Sequence, residues 1–146
     1  MRVIAWSPHL TRERAEAAGV EYVESKTELF KQSDIISVHM VLSDTTRGLI
    51  NASDFALMKP SAFFINTSRG PIVNETALID ALKQRKIAGA GLDVYDIEPL
   101  PLDHPLRKLD NVTLTPHTGY VSDNSYKVSD FRLAVLPAGL SERFSP

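Results

Sequence analysis

Three residues of this chain, Arg69, Glu98 and His117, have types that suit one another chemically. Histidine, with an ordinary pKa of about 6.5, is the usual proton shuttle at neutral pH. A glutamate bonded to one ring nitrogen would fix its tautomer and favour the imidazolium. An arginine offers a planar fork that grips a carboxylate through two hydrogen bonds. Such a trio suits the reduction of a 2-oxo acid. The arginine holds the acid, and the histidine protonates the carbonyl oxygen as hydride reaches the carbon. Spacing alone also allows an unrelated trio, with Arg69 a surface arginine and His117 a polar residue at a strand end.

Each of the three lies at or just beyond the end of an apolar run, as does Asp93. Ala62 to Ile65 reads as a strand buried on both faces, and Asn66-Thr67-Ser68-Arg69-Gly70 follows it. That places one cation at the carboxyl edge of a sheet, where open α/β folds bind ligands.

Earlier in the chain, Arg2 to Trp6 is strand-like, and Thr11 caps a helix from Arg12 to Ala18 that Gly19 ends. Glu21 to Val23 is a short strand. Ser25-Lys26-Thr27-Glu28 matches a capping box opening a helix to Gln32. Asp34 to His39 is a third strand. Ser53 is expected to cap a helix from Asp54 to Met58.

After Gly70, a helix from about Glu75 to Arg85 carries Ala77, Leu78, Ala81 and Leu82 on one face. Ile87 to Val94 is a strand whose small residues suit close backbone approach. A loop rich in proline and acid, Tyr95 to Pro105, crosses to a last strand, Asn111 to Thr115. Strands alternating with helices predict a parallel α/β sheet. Beyond roughly Ser129 the periodicity fades and poor order is expected.

Composition narrows the function further. The chain has 146 residues, enough for one domain with a real core, and a formal charge of −2 with no basic run. That argues against a nucleic-acid or anionic-membrane surface. There is no cysteine, hence no disulfide, thiol nucleophile or thiolate metal site. His9, His39, His104 and His117 lie too far apart for a helical ligand pair, so no metal is expected. No stretch approaches the roughly 20 apolar residues of a membrane span, and the N-terminus does not read as a signal peptide. The expectation is a cytoplasmic protein.

Four stretches resemble the D-isomer-specific 2-hydroxyacid dehydrogenases. They are His39 to Ile50; Asn66 to Gly70 with Val73-Asn74-Glu75 and Ala77-Leu78; Gly89 to Tyr95 with Glu98-Pro99-Leu100; and Thr115 to Gly119. They run in that family's order, and the likeness extends from Arg2 to about Lys127. The resemblance implies that Arg69 binds the substrate carboxylate and carbonyl, that His117 is the general acid/base, and that Glu98 is its hydrogen-bond partner. It puts Met40 and Val41 beside the adenosine half of NAD, Thr67 behind the nicotinamide and Asp93 at its carboxamide. His117 and Gly119 border the nicotinamide as well. Glu98 speaks against the formate dehydrogenase branch. A homodimer formed through the cofactor domain is also implied.

Ser7 stands where NAD-selective members carry an acid that bonds the adenine ribose. Serine does not repel a 2′-phosphate, and Arg12 or Arg14 could reach one, so NADP use stays open beside a plain turn before Pro8.

The departures from the family are large. The chain has no G-x-G-x-x-G, and Gly89 and Gly91 lead into Leu92-Asp93-Val94 rather than a helix. The expected fold is an incomplete Rossmann-type doubly wound sheet lacking its first strand, glycine loop and first helix, elements that in the family precede the position of Met1. Residues 1–128 are expected to form a partial NAD(P)-binding domain and residues 129–146 a divergent tail, of the kind an altered reading frame near Lys127 would produce. The strand Arg2 to Trp6 would then lose its central neighbour. The chain is expected to be a dehydrogenase fragment that binds cofactor weakly or not at all and is inactive alone. Two alternatives are a non-catalytic interaction module of the co-repressor type and a truncated gene product without its own function.

Overall fold

The computed structural model of the chain describes residues 1–121. The chain divides into two compact units, residues 1–116 and 117–146, the second described as far as Val121. The expected boundary at residue 128 and the tail both lie outside the described residues.

Local sequence sets most of the elements of the first unit. β1 (Ile4–Ala5) leads to α1 (Arg12–Ala17), whose cap Thr11 accepts from the Arg14 N–H. Gly19 follows with φ +71°, the left-handed value that lets the chain leave a helix. β2 (Glu21–Tyr22) is succeeded by α2 (Lys26–Gln32), capped by Ser25. The back-bond of this cap differs from the expected box: Glu28 accepts from the N–H of Glu24, at 3.1 Å, rather than from that of Ser25. β3 (Ile35–Val38) then runs to α3 (Ala52–Phe55).

The cap of α3 is Asn51, not Ser53. Asn51 accepts from the Ser53 N–H at 2.9 Å, while Asp54 accepts from the Asn51 N–H at 2.9 Å. Asn51 and Ser53 are both good caps, and the reciprocal bond from Asp54 decides between them. Lys26 adds an ion pair to the same carboxylate at 2.9 Å.

β4 (Phe63–Asn66), α4 (Glu75–Lys83, capped by Asn74), β5 (Gly89–Leu92) and β6 (Val112–Leu114) complete the unit. β3, β4, β5 and β6 form one parallel sheet in that order. β1 and β2 form a separate parallel pair. The fold is α/β and parallel as expected, with the strands divided between two ladders.

α2, α3 and α4 pack on one face of the larger sheet. Phe30, Phe55, Leu78 and Leu82 meet Ile36, Val38, Phe64 and Leu92 in a single core. Phe55 and Phe64 meet edge-to-face at 5.2 Å. The other face differs from expectation. Ile35 is 59% exposed and its ladder partner Phe63 is 48% exposed, so β4 is buried on one face and open on the other. Among the described residues no helix is long and apolar enough to cross a membrane.

Candidate active site

The expected site residues of the first unit all follow the carboxyl ends of strands. Arg69 is three residues past the buried end of β4. Asn66, itself buried, turns the chain there: its side-chain oxygen accepts from the Ser68 N–H and its Nδ2 donates to the Arg69 carbonyl, both at 3.0 Å. Ser68 donates through its hydroxyl to the Met40 carbonyl, tying this turn to the segment after β3. Arg69 is exposed, with Nη1 donating to the Ser68 carbonyl at 2.6 Å. The backbone is therefore fixed while the guanidinium stands at the surface. Thr67 is exposed in the same turn.

Gly70 explains how this turn meets the next one. A Cβ built there would lie 2.1 Å from both the carbonyl carbon and oxygen of Tyr95, so only glycine fits. Glu98 closes the same turn: its carboxylate accepts from the Tyr95 N–H at 2.9 Å. Glu75, at the start of α4, accepts from the Asp96 N–H at 3.4 Å and bonds His104 Nε2 at 3.1 Å. Partial burial, and next the Glu75 charge, push the Asp96 carboxyl above its ordinary pKa.

Asp93 is buried at the end of β5. Its N–H donates to the Asn66 carbonyl at 3.0 Å, and its carboxylate accepts from the Thr115 hydroxyl just past β6. The Tyr95 hydroxyl lies 3.0 Å from the Leu92 carbonyl and 2.8 Å from that of Thr115, so it spans the same two strand ends. Burial, and then the charge of Asp93, raise its pKa. The ends of β4, β5 and β6 thus share one network, through Asn66, Asp93, Tyr95 and Thr115. Sequence reading passed over the bridging roles of Asn66 and Tyr95. The signal for Asn66 was its place at a strand end, where Asn side chains bond their own backbone two residues on.

Met40 and Val41 follow β3, the first half-buried and the second exposed. Ser7 follows β1, and its backbone carbonyl accepts from the Leu10 N–H at 3.2 Å, a turn bond that does not involve the serine hydroxyl. His117 and Gly119 belong to the second unit. His117 has φ +56°, a strained conformation for a residue with a side chain, and its ring meets that of Tyr120 edge-to-face at 6.0 Å. The Val121 N–H donates to the Thr118 carbonyl at 2.9 Å.

A carboxylate held at the edge of a parallel sheet, beside a glycine-dependent turn that presents an arginine, suits the amide end of a nicotinamide. Residues 1–146 contain no G-x-G-x-x-G.

Parallel strands joined through helices, with polar residues gathered beyond their carboxyl ends, define the Rossmann-like α/β class. Within that class, the chain belongs to the D-isomer-specific 2-hydroxyacid dehydrogenases, a family of NAD-dependent oxidoreductases acting on CH–OH groups: residues 1–119 match its NAD binding domain.

Among its relatives, D-3-phosphoglycerate dehydrogenase of Methanocaldococcus jannaschii is 43% identical over 129 residues, 88% of this chain and 24% of that one. Glyoxylate reductase of Thermococcus litoralis is 48% identical over 119 residues, 82% of this chain and 35% of that one. A crystal structure of a D-3-phosphoglycerate dehydrogenase-type oxidoreductase from Ralstonia solanacearum superposes with a TM-score of 0.81 at 38% identity, covering 94% of this chain and 43% of that one. An acyclic imino acid reductase in complex with NADPH and D-Arg superposes with a TM-score of 0.74 at 36% identity, covering 92% of this chain and 41% of that one. The chain thus spans between 22% and 40% of the length of the first curated relatives it matches. These relatives are enzymes, so the co-repressor type of module is not favoured.

Proposed function

We infer that the chain is part of the cofactor domain of an NAD(P)-dependent D-2-hydroxyacid dehydrogenase and carries the residues for the chemical step. The observation that carries this reading is the joined pair of turns after β4 and β5. There Gly70 brings the segment of Arg69 against the backbone of Tyr95, and Tyr95 in turn holds the carboxylate of Glu98. Arg69 binds the carboxylate of a small 2-oxo or 2-hydroxy acid through paired hydrogen bonds. His117 gives its proton to the carbonyl oxygen in reduction and takes it back in oxidation, with Glu98 orienting its ring. The nicotinamide, when bound, supplies or accepts the hydride.

Asp93 and Thr67 hold the nicotinamide, with His117 and Gly119 bordering it, and Met40 and Val41 lie along the adenosine half. Ser7 is compatible with either NAD or NADP. In isolation the chain binds cofactor weakly or not at all and does not turn over, because these residues lack the G-x-G-x-x-G turn that holds a pyrophosphate. Cytoplasmic location and a homodimer belong to the same reading.

The test is a chimera in which residues 1–119 replace the matched stretch of the Thermococcus litoralis glyoxylate reductase. It is expected to reduce glyoxylate, and His117→Gln is expected to lower kcat by roughly 10²- to 10⁴-fold. A chimera that folds and binds cofactor but is indifferent to His117→Gln overturns the assignment of roles. Reduction of glyoxylate, pyruvate or hydroxypyruvate by the purified chain alone overturns the claim of inactivity.

A further inference from the structure

Glu98, which orients the His117 ring in the dehydrogenase reading, sits on the loop between β5 and the short 3₁₀ turn Pro105–Lys108. Between Asp96 and His104 only Leu100 is buried, while Ile97 and Leu102 are 67% and 90% exposed. Packing alone therefore does little to fix the path of this loop. A carboxylate that must hold a ring in one orientation needs support from outside its own segment. Polar bonds supply it, and two of them converge on one side chain.

That side chain is Glu75. It opens α4, which Leu78, Ile79 and Leu82 seat in the core, so its carboxylate stands on a rigid element. One carboxylate oxygen accepts from the Asp96 N–H at 3.4 Å, and the other meets His104 Nε2 at 3.1 Å. The loop is thus tied near both ends to a single residue, with Glu98 between the ties. His104 Nδ1 accepts from the Leu106 N–H at 3.4 Å and so caps the 3₁₀ turn. A ring nitrogen that accepts carries no proton, so the proton sits on Nε2 and is donated to Glu75. Only 19% of the Glu75 side chain and 17% of the His104 side chain is exposed, which limits competition from water. Arg107, on the turn that His104 caps, donates to the carbonyls of Pro101 and Leu100, both at 2.9 Å.

We propose that Glu75 and His104 are positioning residues for the reaction: their pair locks the Glu98 loop to α4, so that the Glu98 carboxylate is presented in one place. This rests on the dehydrogenase reading, and both residues act through Glu98 rather than on the substrate. The competing role is local, with Glu75 an acid in the first turn of α4 and His104 a cap alone.

Two substitutions of His104 separate these roles. An asparagine amide oxygen falls near Nδ1 and keeps the cap, but the donor to Glu75 is lost. A glutamine amide nitrogen falls near Nε2 and keeps the donor, but the cap is lost. In the glyoxylate reductase chimera, His104→Asn is expected to lower kcat about 10- to 100-fold with KM for glyoxylate little changed. His104→Gln is expected to recover most of that loss. Glu75→Gln offers one acceptor oxygen where the bridge uses two, and is expected to match His104→Asn. In the full chain without cofactor, amide exchange at Asp96 is expected to quicken in Glu75→Gln and His104→Asn, and to return towards the unsubstituted rate in His104→Gln.

The reverse order of the two His104 variants overturns the proposal in favour of capping. Unchanged kcat in Glu75→Gln and His104→Asn, in a chimera that His117→Gln impairs, overturns it and leaves the dehydrogenase reading standing. Unchanged exchange at Asp96 in both variants overturns it as well, whatever the chimera does. A chimera indifferent to His117→Gln overturns the dehydrogenase roles, and this proposal with them.

Discussion

Phe63 and Phe64 are adjacent in one strand and live in opposite surroundings. Phe64 is fully buried against Phe55, while Phe63 is half open on the other face. The same division runs through β3, where Ile36 and Val38 are buried and Ile35 is exposed. Strand side chains alternate between faces, so four consecutive apolar residues from Ala62 to Ile65 speak of cover on both sides. The described helices supply cover on one. What the difference teaches is that, among the described residues, Ile35 and Phe63 carry the composition of an interior without the packing of one. The carboxyl edge, by contrast, is closed by its own short-range bonds around Asn66, Asp93 and Tyr95.

The contrast is open to experiment. Phe64→Ala removes a fully buried ring packed against Phe55 and is expected to cost about 3–5 kcal/mol in a denaturant titration. A cost under about 1 kcal/mol would mean that the covered face is not the interior it looks like. Gly70→Ala comes next. Its methyl group meets backbone atoms of Tyr95, which cannot rotate away, so a loss of about 1–3 kcal/mol or more is expected. Thermal melting of this variant reports whether the turns of Arg69 and Glu98 are locked together; an unchanged melt would show that they yield.

Phe63→Thr, one residue from Phe64, is expected to change stability by no more than about 0.5 kcal/mol, because little packing is lost at an open position. Solubility should rise as an exposed aromatic is removed. A loss matching that of Phe64→Ala would reveal that the bare face is covered in solution.

The smallest effect concerns Asp96. Its pKa is raised in the folded chain, by burial first and Glu75 second, so the folded state holds that proton more tightly than the unfolded one. Charging the group therefore opposes folding, with the penalty absent below the unfolded pKa and complete above the folded one. Asp96→Asn is expected to be slightly the more stable protein at neutral pH. The gap should close as pH falls through the acid range, and a gap that widens there would contradict the assigned cause.

Much was legible in the residues themselves. Thr11 and Ser25 cap the helices expected of them, and Gly19 ends α1, because a cap or a positive φ is decided within a few residues of itself. The alternation of strand and helix foretold the parallel α/β class, and the stretches around Arg69, Asp93 and Glu98 were visible as motifs past strand ends. Where near neighbours competed, the reading slipped. Ser53 gave way to Asn51 because Asp54 completes a reciprocal bond with Asn51 alone, and Glu28 bonded back one residue earlier than its motif implied.

The sequence by itself determined where the strands and helices fall and which residues stand beyond the strands' carboxyl ends, since these depend on bonds a few residues long. Tertiary structure alone decided that the strands divide into two ladders, that Ile35 and Phe63 stay exposed on one face of the larger sheet among the described residues, and that Gly70 presses its turn against Tyr95. Those outcomes depend on which distant segments meet, and the apolar pattern of a strand states that a face is to be covered without naming what covers it.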